Sequence, residues 1–156
     1  MASHSIALAL HVLSATLWVG GMFFAHQVLR PVAANQLQPP ARLTLWVSVF
    51  NRFFPWVWLF VALLPLTGYW MIFELFGGMG AVGLYVHIMQ GLGWVMVLLY
   101  MHVFFAPFRR LKDAVVTEDW PEAGRRLGQI RQLVGVNLTL GLVVIAVASG
   151  GRLFAA

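Results

Sequence analysis

Four long apolar runs divide the chain, and shorter polar stretches separate them. The runs lie at about residues 6–29, 54–76, 82–108 and 133–149. Each is far longer than a buried strand, and none alternates between apolar and polar residues as a barrel strand does. A helix needs ~20 apolar residues to cross a bilayer, and it satisfies its own backbone there. The pattern predicts an all-α, polytopic membrane protein, folded as one four-helix bundle.

A further helix is predicted just before the second run. Residues 41–53 are largely apolar but carry Arg42, Asn51 and Arg52, and their apolar positions fall on one helical face. This pattern is typical of a helix that lies at the membrane interface. Pro55 suits the first turn of the span that follows, where its missing N–H costs nothing.

The composition supports the membrane assignment. Of the 156 residues, 61% are apolar and 10% are charged, against ~45–50% and ~25% in ordinary soluble domains. These values exclude a disordered, a nucleic-acid-binding or a conventional cytosolic protein. The chain contains no cysteine, which excludes disulfides, iron–sulfur clusters and thiolate metal sites. Because the sequence also lacks a Ser/His/Asp triad, a phosphate loop and a carboxylate pair, hydrolase and kinase chemistry are set aside.

The basic residues predict the orientation of the chain. Nine of the ten lie between the first and second runs or between the third and fourth runs, and the tenth is Arg152. The nine are Arg30, Arg42, Arg52, Arg109, Arg110, Lys112, Arg125, Arg126 and Arg131. By the positive-inside rule, both longer loops face the cytoplasm and both termini face the periplasm of a bacterial inner membrane. The net charge of +5 is then explained by insertion rather than by a nucleic-acid partner.

Four of the five histidines lie within the apolar runs, where polar side chains are costly and often functional. His11 and His26 are 15 residues apart in the first run, and His87 and His102 are 15 residues apart in the third. Each pair spans about 22 Å along its helix. Because the first and third runs cross the membrane in the same direction, His11 matches His87 in depth, and His26 matches His102.

This matched spacing predicts two b-type haems. One iron would take an imidazole from His11 and one from His87, and the other would take His26 and His102, across the bundle core. The protein would then be a di-haem cytochrome that carries electrons across or within the bilayer. Its candidate partners are quinone and a redox protein, and its enzyme class would be a quinone-linked oxidoreductase.

Other residues fit this haem assignment. Asn137 in the fourth run is a candidate hydrogen-bond partner for a ligand, and Arg52 is a candidate partner for haem propionates. Small residues are expected between the ligands, where a flat macrocycle presses on the backbone. The candidate glycines are Gly20, Gly21, Gly91 and Gly93.

Two segments resemble the copper-resistance CopD-like family of bacterial membrane proteins. In His11–Phe24, a histidine is followed seven residues later by Trp18 and then by paired small residues. In Phe50–Gly68, Arg52 enters a span that closes on a Thr-Gly pair. The chain is also similar, more distantly, to the HemJ-type protoporphyrinogen oxidases. The resemblance implies an inner-membrane helical protein linked either to copper movement or to haem and porphyrin redox chemistry.

Two alternatives to the cytochrome therefore stay open. The first is copper transport, because Cu(I) favours methionine and histidine ligands. Met22 and His26 share one helical face at a spacing of four residues, and Met89, Met96 and Met101 lie in the third run. The second alternative is a non-catalytic subunit or assembly factor of a respiratory complex.

The charge pattern makes a prediction about topology. A single cysteine introduced into the 109–125 loop should react with a membrane-impermeant maleimide only after the inner membrane is permeabilised, because that loop is predicted to be cytoplasmic. The native chain has no cysteine and supplies the unlabelled control. Modification of this loop from the periplasmic side of intact cells would contradict the orientation.

Overall fold

The computed structural model describes residues 2–151, which fold as helices with no strand among them. Four helical segments are long and apolar enough to cross a membrane. They are Ser3–Gln36, Pro39–Phe76, Leu84–Val116 and Trp120–Gly150. The prediction of an all-α protein with four spans is confirmed. The orientation of the termini stays a prediction, and Arg152 lies outside the described residues.

The four spans consist of six α-helices and two shorter helical turns. The α-helices are α1 (Ala2–Phe23), α2 (Arg30–Gln36), α3 (Pro39–Phe76), α4 (Leu84–Phe105), α5 (Pro107–Val116) and α6 (Trp120–Gly150). A π-helical turn, Phe24–Leu29, joins α1 to α2 within the first span, and a 3-10 turn, Met79–Ala81, precedes α4. The third span is α4 followed by α5.

Local sequence signals set the ends of these helices. Gly77 ends α3 in the left-handed conformation at φ 74°, which suits glycine. Pro107 begins α5 just after the break at Ala106. The carboxylate of Asp119 caps α6 by accepting the backbone N–H of Glu122 at 3.0 Å.

The segment 41–53 differs from expectation, because it continues into the second span as one helix, α3. Pro55 lies inside this helix rather than at its start. Aromatic packing in the turn before the proline explains why the helix persists. Phe50 stacks on Phe54 at 5.1 Å between ring centroids, and Phe54 packs edge-on against Phe108 of α5 at 4.8 Å. The interfacial location of 41–53 stays a prediction.

The first span packs along the second, the third packs along the fourth, and the fourth also contacts the first two. An aromatic cluster fills the space between the second and third spans. Its members are Phe50, Phe54, Trp58, Tyr100, Phe104 and Phe108. Tyr100 also donates a hydrogen bond from its hydroxyl to the carbonyl of Phe54 at 3.1 Å. These contacts make the middle of the bundle a packed aromatic core.

Both described ends of the chain lie at one end of the bundle. The His4 ring lies 5.3 Å from the Trp70 ring, near the end of α3. Gly151 lies against the Tyr85 side chain, at the start of α4. We call this the terminal end. The opposite, loop end holds the connections at 37–38 and 117–119 and is the end predicted to be cytoplasmic.

Gly141 tests the packing of the fourth span. A Cβ there would lie 2.7 Å from Val19 Cγ2 and 3.1 Å from Met96 Cε. Gly141→Ala should therefore destabilise the detergent-solubilised protein by ~1–3 kcal/mol, since overpacking displaces neighbours. Gly91→Ala is the matched control, because nothing lies within 4 Å of its Cβ position. Equal thermal unfolding midpoints for the two variants would contradict this packing.

Candidate functional site

Potential ligand atoms of the first span lie on the face of α1 that is turned toward the other helices. This face carries His4, His11, Ser14, Trp18 and Met22, which follow one another at spacings of seven, three, four and four residues. Such spacing keeps side chains on one side of a helix. The two histidines are half-buried, and the other three residues are buried. The potential metal ligands of this span are therefore directed into the bundle.

His11 is anchored on the second span. Its Nδ1 lies 2.8 Å from the hydroxyl oxygen of Thr67, and that hydroxyl donates its own hydrogen to the carbonyl of Leu63 at 2.6 Å. Because a hydroxyl has one hydrogen, Thr67 accepts from His11, so Nδ1 of His11 carries the ring hydrogen. The lone pair is then on Nε2, which is available to a ligand.

Gly68 allows the ring to approach α3. A Cβ at Gly68 would lie 3.2 Å from His11 Cε1, which is tighter than an ordinary contact. The Thr67-Gly68 pair, which ends the segment Phe50–Gly68, thus supplies both the hydrogen-bond acceptor and the space for the His11 ring.

His4 belongs to the same face, although it is not among the residues predicted for the haem site. It lies two helical turns before His11, packs on Trp70, and its Nδ1 is buried without a hydrogen-bond partner among the described residues. The spacing of seven residues between the two histidines was the signal that would have grouped them.

A second group of potential ligand atoms surrounds the π-helical turn near the loop end. His26 lies in this turn, and its ring faces α6 at Gly135. Its Nδ1 is buried without a hydrogen-bond partner among the described residues. Gly135, one turn further along α6, would place a Cβ 3.1 Å from Nε2. Here too, a glycine gives an imidazole room to approach the next helix.

A cavity of about 40 Å³ lies beside this turn. Its lining includes Trp18, Met22, Tyr100 and Asn137. The side chain of Asn137 is only 5% exposed and donates from Nδ2 to the carbonyl of Met96 at 3.3 Å. Its Oδ1 is buried without a hydrogen-bond partner in the described chain. The cavity exceeds the space that a single water or small ion requires.

The histidines of the third span have different surroundings. His87 and His102 are exposed on the bundle surface, whereas His11 contacts the second span and His26 contacts the fourth. The structure therefore does not bring the four side chains together as two facing pairs. Haem binding and a quinone partner stay predictions.

The other residues predicted for the haem site also lie apart. The Cβ positions of Gly20, Gly91 and Gly93 have nothing within 4 Å, whereas that of Gly21 meets the ring of Phe53. Arg52 is exposed, and Asn137 lies beside the cavity near the π-helical turn. In the described part of the chain, no three His, Asp or Glu side chains are grouped to hold a metal. A metal site there would need thioether or amide donors as well.

Comparison with protein-family models matches residues 47–150 to Copper resistance protein D (CopD). The match covers more than half of the chain. The chain belongs to the CopD family. The resemblance to the CopD-like family is confirmed, and the matched part of this CopD-family protein runs from α3 to α6 and includes the segment Phe50–Gly68. The first span, with His11, Met22 and His26, precedes it. Comparisons with curated proteins and with solved structures gave no significant match.

The hydrogen bonds of His11 predict its tautomer. Nitrogen-15 NMR of the imidazole at a pH where it is neutral should show hydrogen on Nδ1 and a lone pair on Nε2. Thr67→Val removes the hydroxyl acceptor and should shift the ring toward a mixture of tautomers. Thr44→Val is the control, since the described bond of that hydroxyl goes to the carbonyl of Pro40 in its own helix. A wild-type spectrum with hydrogen on Nε2 would contradict the assignment.

Proposed function

We propose that this CopD-family protein moves Cu(I) through the bacterial inner membrane along the inward face of its first span. One observation carries the proposal. His11 has one ring nitrogen bonded to a neighbouring helix and the other left with a lone pair, and the Nδ1 of His26 is buried without a hydrogen-bond partner among the described residues. Histidines that bind metals are held in this way, because the second hydrogen bond fixes the tautomer and the ring orientation.

The donor chemistry of the spans favours a soft ion. Cu(I) prefers thioether and imidazole ligands, whereas Mg²⁺ and Ca²⁺ require carboxylate and carbonyl oxygens. The chain has seven methionines and five histidines but only five acidic residues. Four of those acids lie between Asp113 and Glu122, near the loop end, and Glu74 is exposed on α3. The interior of the membrane region thus offers soft donors without carboxylates.

The potential copper ligands of the first span lie in two groups, one toward each end of the bundle. His4 and His11 lie toward the terminal end, and Met22 and His26 lie toward the loop end. The distance from His11 to Met22 along the helix is about 16 Å. Trp18 lies between the groups and packs edge-on against Tyr100 at 6.3 Å between centroids. An ion that follows this face must pass these two rings, so we expect its passage to require them to separate.

Copper flux tests this function. Purified protein in liposomes should admit Cu(I), supplied under reducing conditions, faster than protein-free liposomes do. His11→Leu should lower the flux by about 10-fold or more, because it removes an anchored ligand. Thr16→Val is the matched control in the same span, since Thr16 is exposed, and it should transport like the wild type.

Two results would contradict copper transport. One is a Cu(I) flux equal to that of protein-free liposomes under all conditions. The other is stoichiometric haem b in protein from haem-replete cells, detected in a reduced-minus-oxidised spectrum and lost on substitution of His87 or His102. The second result would support the cytochrome predicted from the histidine spacing.

A further inference from the structure

We infer that Arg30 and Arg131 form a binding site for the headgroup of one anionic phospholipid, between the first and fourth spans at the loop end of the bundle. The ligand is a phosphodiester lipid with a net negative charge, and its acyl chains stay in the leaflet at that end. The inference does not depend on copper transport, because it concerns the lipid-facing surface and not the inward face of the first span.

The contact between His26 and Gly135 places the two arginines at one level. A Cβ at Gly135 would lie 3.1 Å from His26 Nε2, so the π-helical turn and α6 are close at this point. Arg30 follows His26 by four residues, and Arg131 precedes Gly135 by four. Because the first span runs toward the loop end and α6 runs away from it, both arginines lie about one turn from the contact in the same direction. A spacing of four residues also keeps each arginine on the face of its helix that carries the contact.

The charges of the two arginines are close to one another and unpaired. Both guanidinium groups act electrostatically on the His26 ring, and both side chains are exposed. Neither forms an ion pair or a side-chain hydrogen bond within the described chain. Two like charges on adjacent helices repel each other, and an anion between them offsets that repulsion. The pair is therefore a cationic site that is open at the surface.

The acids near the loop end do not neutralise this site. Along α6, the acid nearest to Arg131 is Glu122, nine residues earlier in the sequence, which is about 13 Å along the helix. Its carboxylate is already bonded to Arg125 and Arg126. Among the described residues, the charges that act on the His26 ring are those of the two arginines and of no acid. The compensating negative charge must come from a ligand.

The depth of the site favours a lipid over a soluble anion. Arg30 directly follows the first apolar run, and Arg131 lies two residues before the fourth. Basic residues at the end of a span lie at the level of the headgroups, and basic pockets between spans bind anionic headgroups. A guanidinium group can donate two parallel N–H bonds to phosphate oxygens. Closer to the bilayer centre, the same two spans expose large apolar side chains, among them Phe24 and Val136, to which acyl chains can pack.

Native mass spectrometry of the purified full-length chain in neutral detergent tests the site. The protein is titrated with phosphatidylglycerol or with phosphatidylcholine of the same acyl chains. We expect one phosphatidylglycerol to bind at concentrations where phosphatidylcholine does not. Arg30→Gln and Arg131→Gln should each weaken that binding by about 5-fold, and the double variant by about 30-fold, because each basic group near an anionic headgroup contributes separately.

A second double variant is the matched control. Arg109→Gln with Arg110→Gln removes the same charge from α5, just after the third apolar run, and both side chains are exposed. It should bind phosphatidylglycerol like the wild type. In lipid-free detergent, the thermal unfolding midpoint of the Arg30→Gln, Arg131→Gln variant should be no lower than that of the wild type, since the substitutions remove a repulsion. A loss of lipid binding in this variant then reports the site and not the fold.

Three results would overturn the site. Equal weakening in the two double variants would show a general attraction to the basic end of the bundle. Equal affinity of the wild type for phosphatidylcholine would show that a negative headgroup is not required. Displacement of the bound lipid by millimolar inorganic phosphate, as complete as that by excess phosphatidylglycerol, would show that the arginines bind a soluble anion.

Discussion

Lipid offers no hydrogen bonds to a protein, and this constraint determines how the first span sits in the bundle. Polar side chains at membrane depth are stable when they face other helices. His11, Ser14 and Met22 share one face, and the bundle covers that face with α3 and α6. The opposite face carries large apolar residues such as Leu13, Leu17 and Phe24, which are exposed as lipid-facing residues are. The orientation of the first span about its own axis thus determines which of its side chains could bind an ion inside the protein.

The two histidines of the first span approach their neighbouring helices in a similar way. In each case a glycine leaves room for the ring, Gly68 of α3 for His11 and Gly135 of α6 for His26. Small residues commonly allow close approach between membrane helices. For His11 the Thr67 hydroxyl also accepts the ring hydrogen, which leaves the lone pair of Nε2 free.

The sequence predicts much of this fold, because insertion into a bilayer depends on properties visible in it. Long apolar runs predicted four spans, and the helices extend beyond each run because the flanking segments are helical too. The continuity of α3 through Pro55 was not predictable in this way. It depends on aromatic packing of Phe50 and Phe54 against α5, which is a tertiary contact. The π-helical turn at Phe24–Leu29 likewise has no signature in the hydrophobic pattern.

The candidate site was predictable only in part, because spacing reports depth and not direction. The equal 15-residue spacings predict similar depths for the first-span and third-span histidines. Which way each ring points depends on the neighbours of its helix, and these are decided by the whole bundle. The spacing of four residues between Met22 and His26 predicts a shared face, but Met22 lines the small cavity whereas the His26 ring lies against Gly135. The acceptors on α3 and α6 lie far away in sequence, so the sequence alone did not connect them to these rings.

The exposed histidines of the third span have a physical explanation of their own. His87 lies three residues after the start of α4, and His102 lies three residues before its end. A helix of this length is about 33 Å long, close to the ~30 Å hydrocarbon thickness of a bilayer. Each ring therefore lies about one turn from an end of α4, and in a bilayer matched to that helix such positions are within reach of water and headgroups. A 15-residue separation is what two positions of this kind on one helix require. The same spacing in the first span has a different basis, because His11 hydrogen-bonds to Thr67 and the His26 ring lies against Gly135.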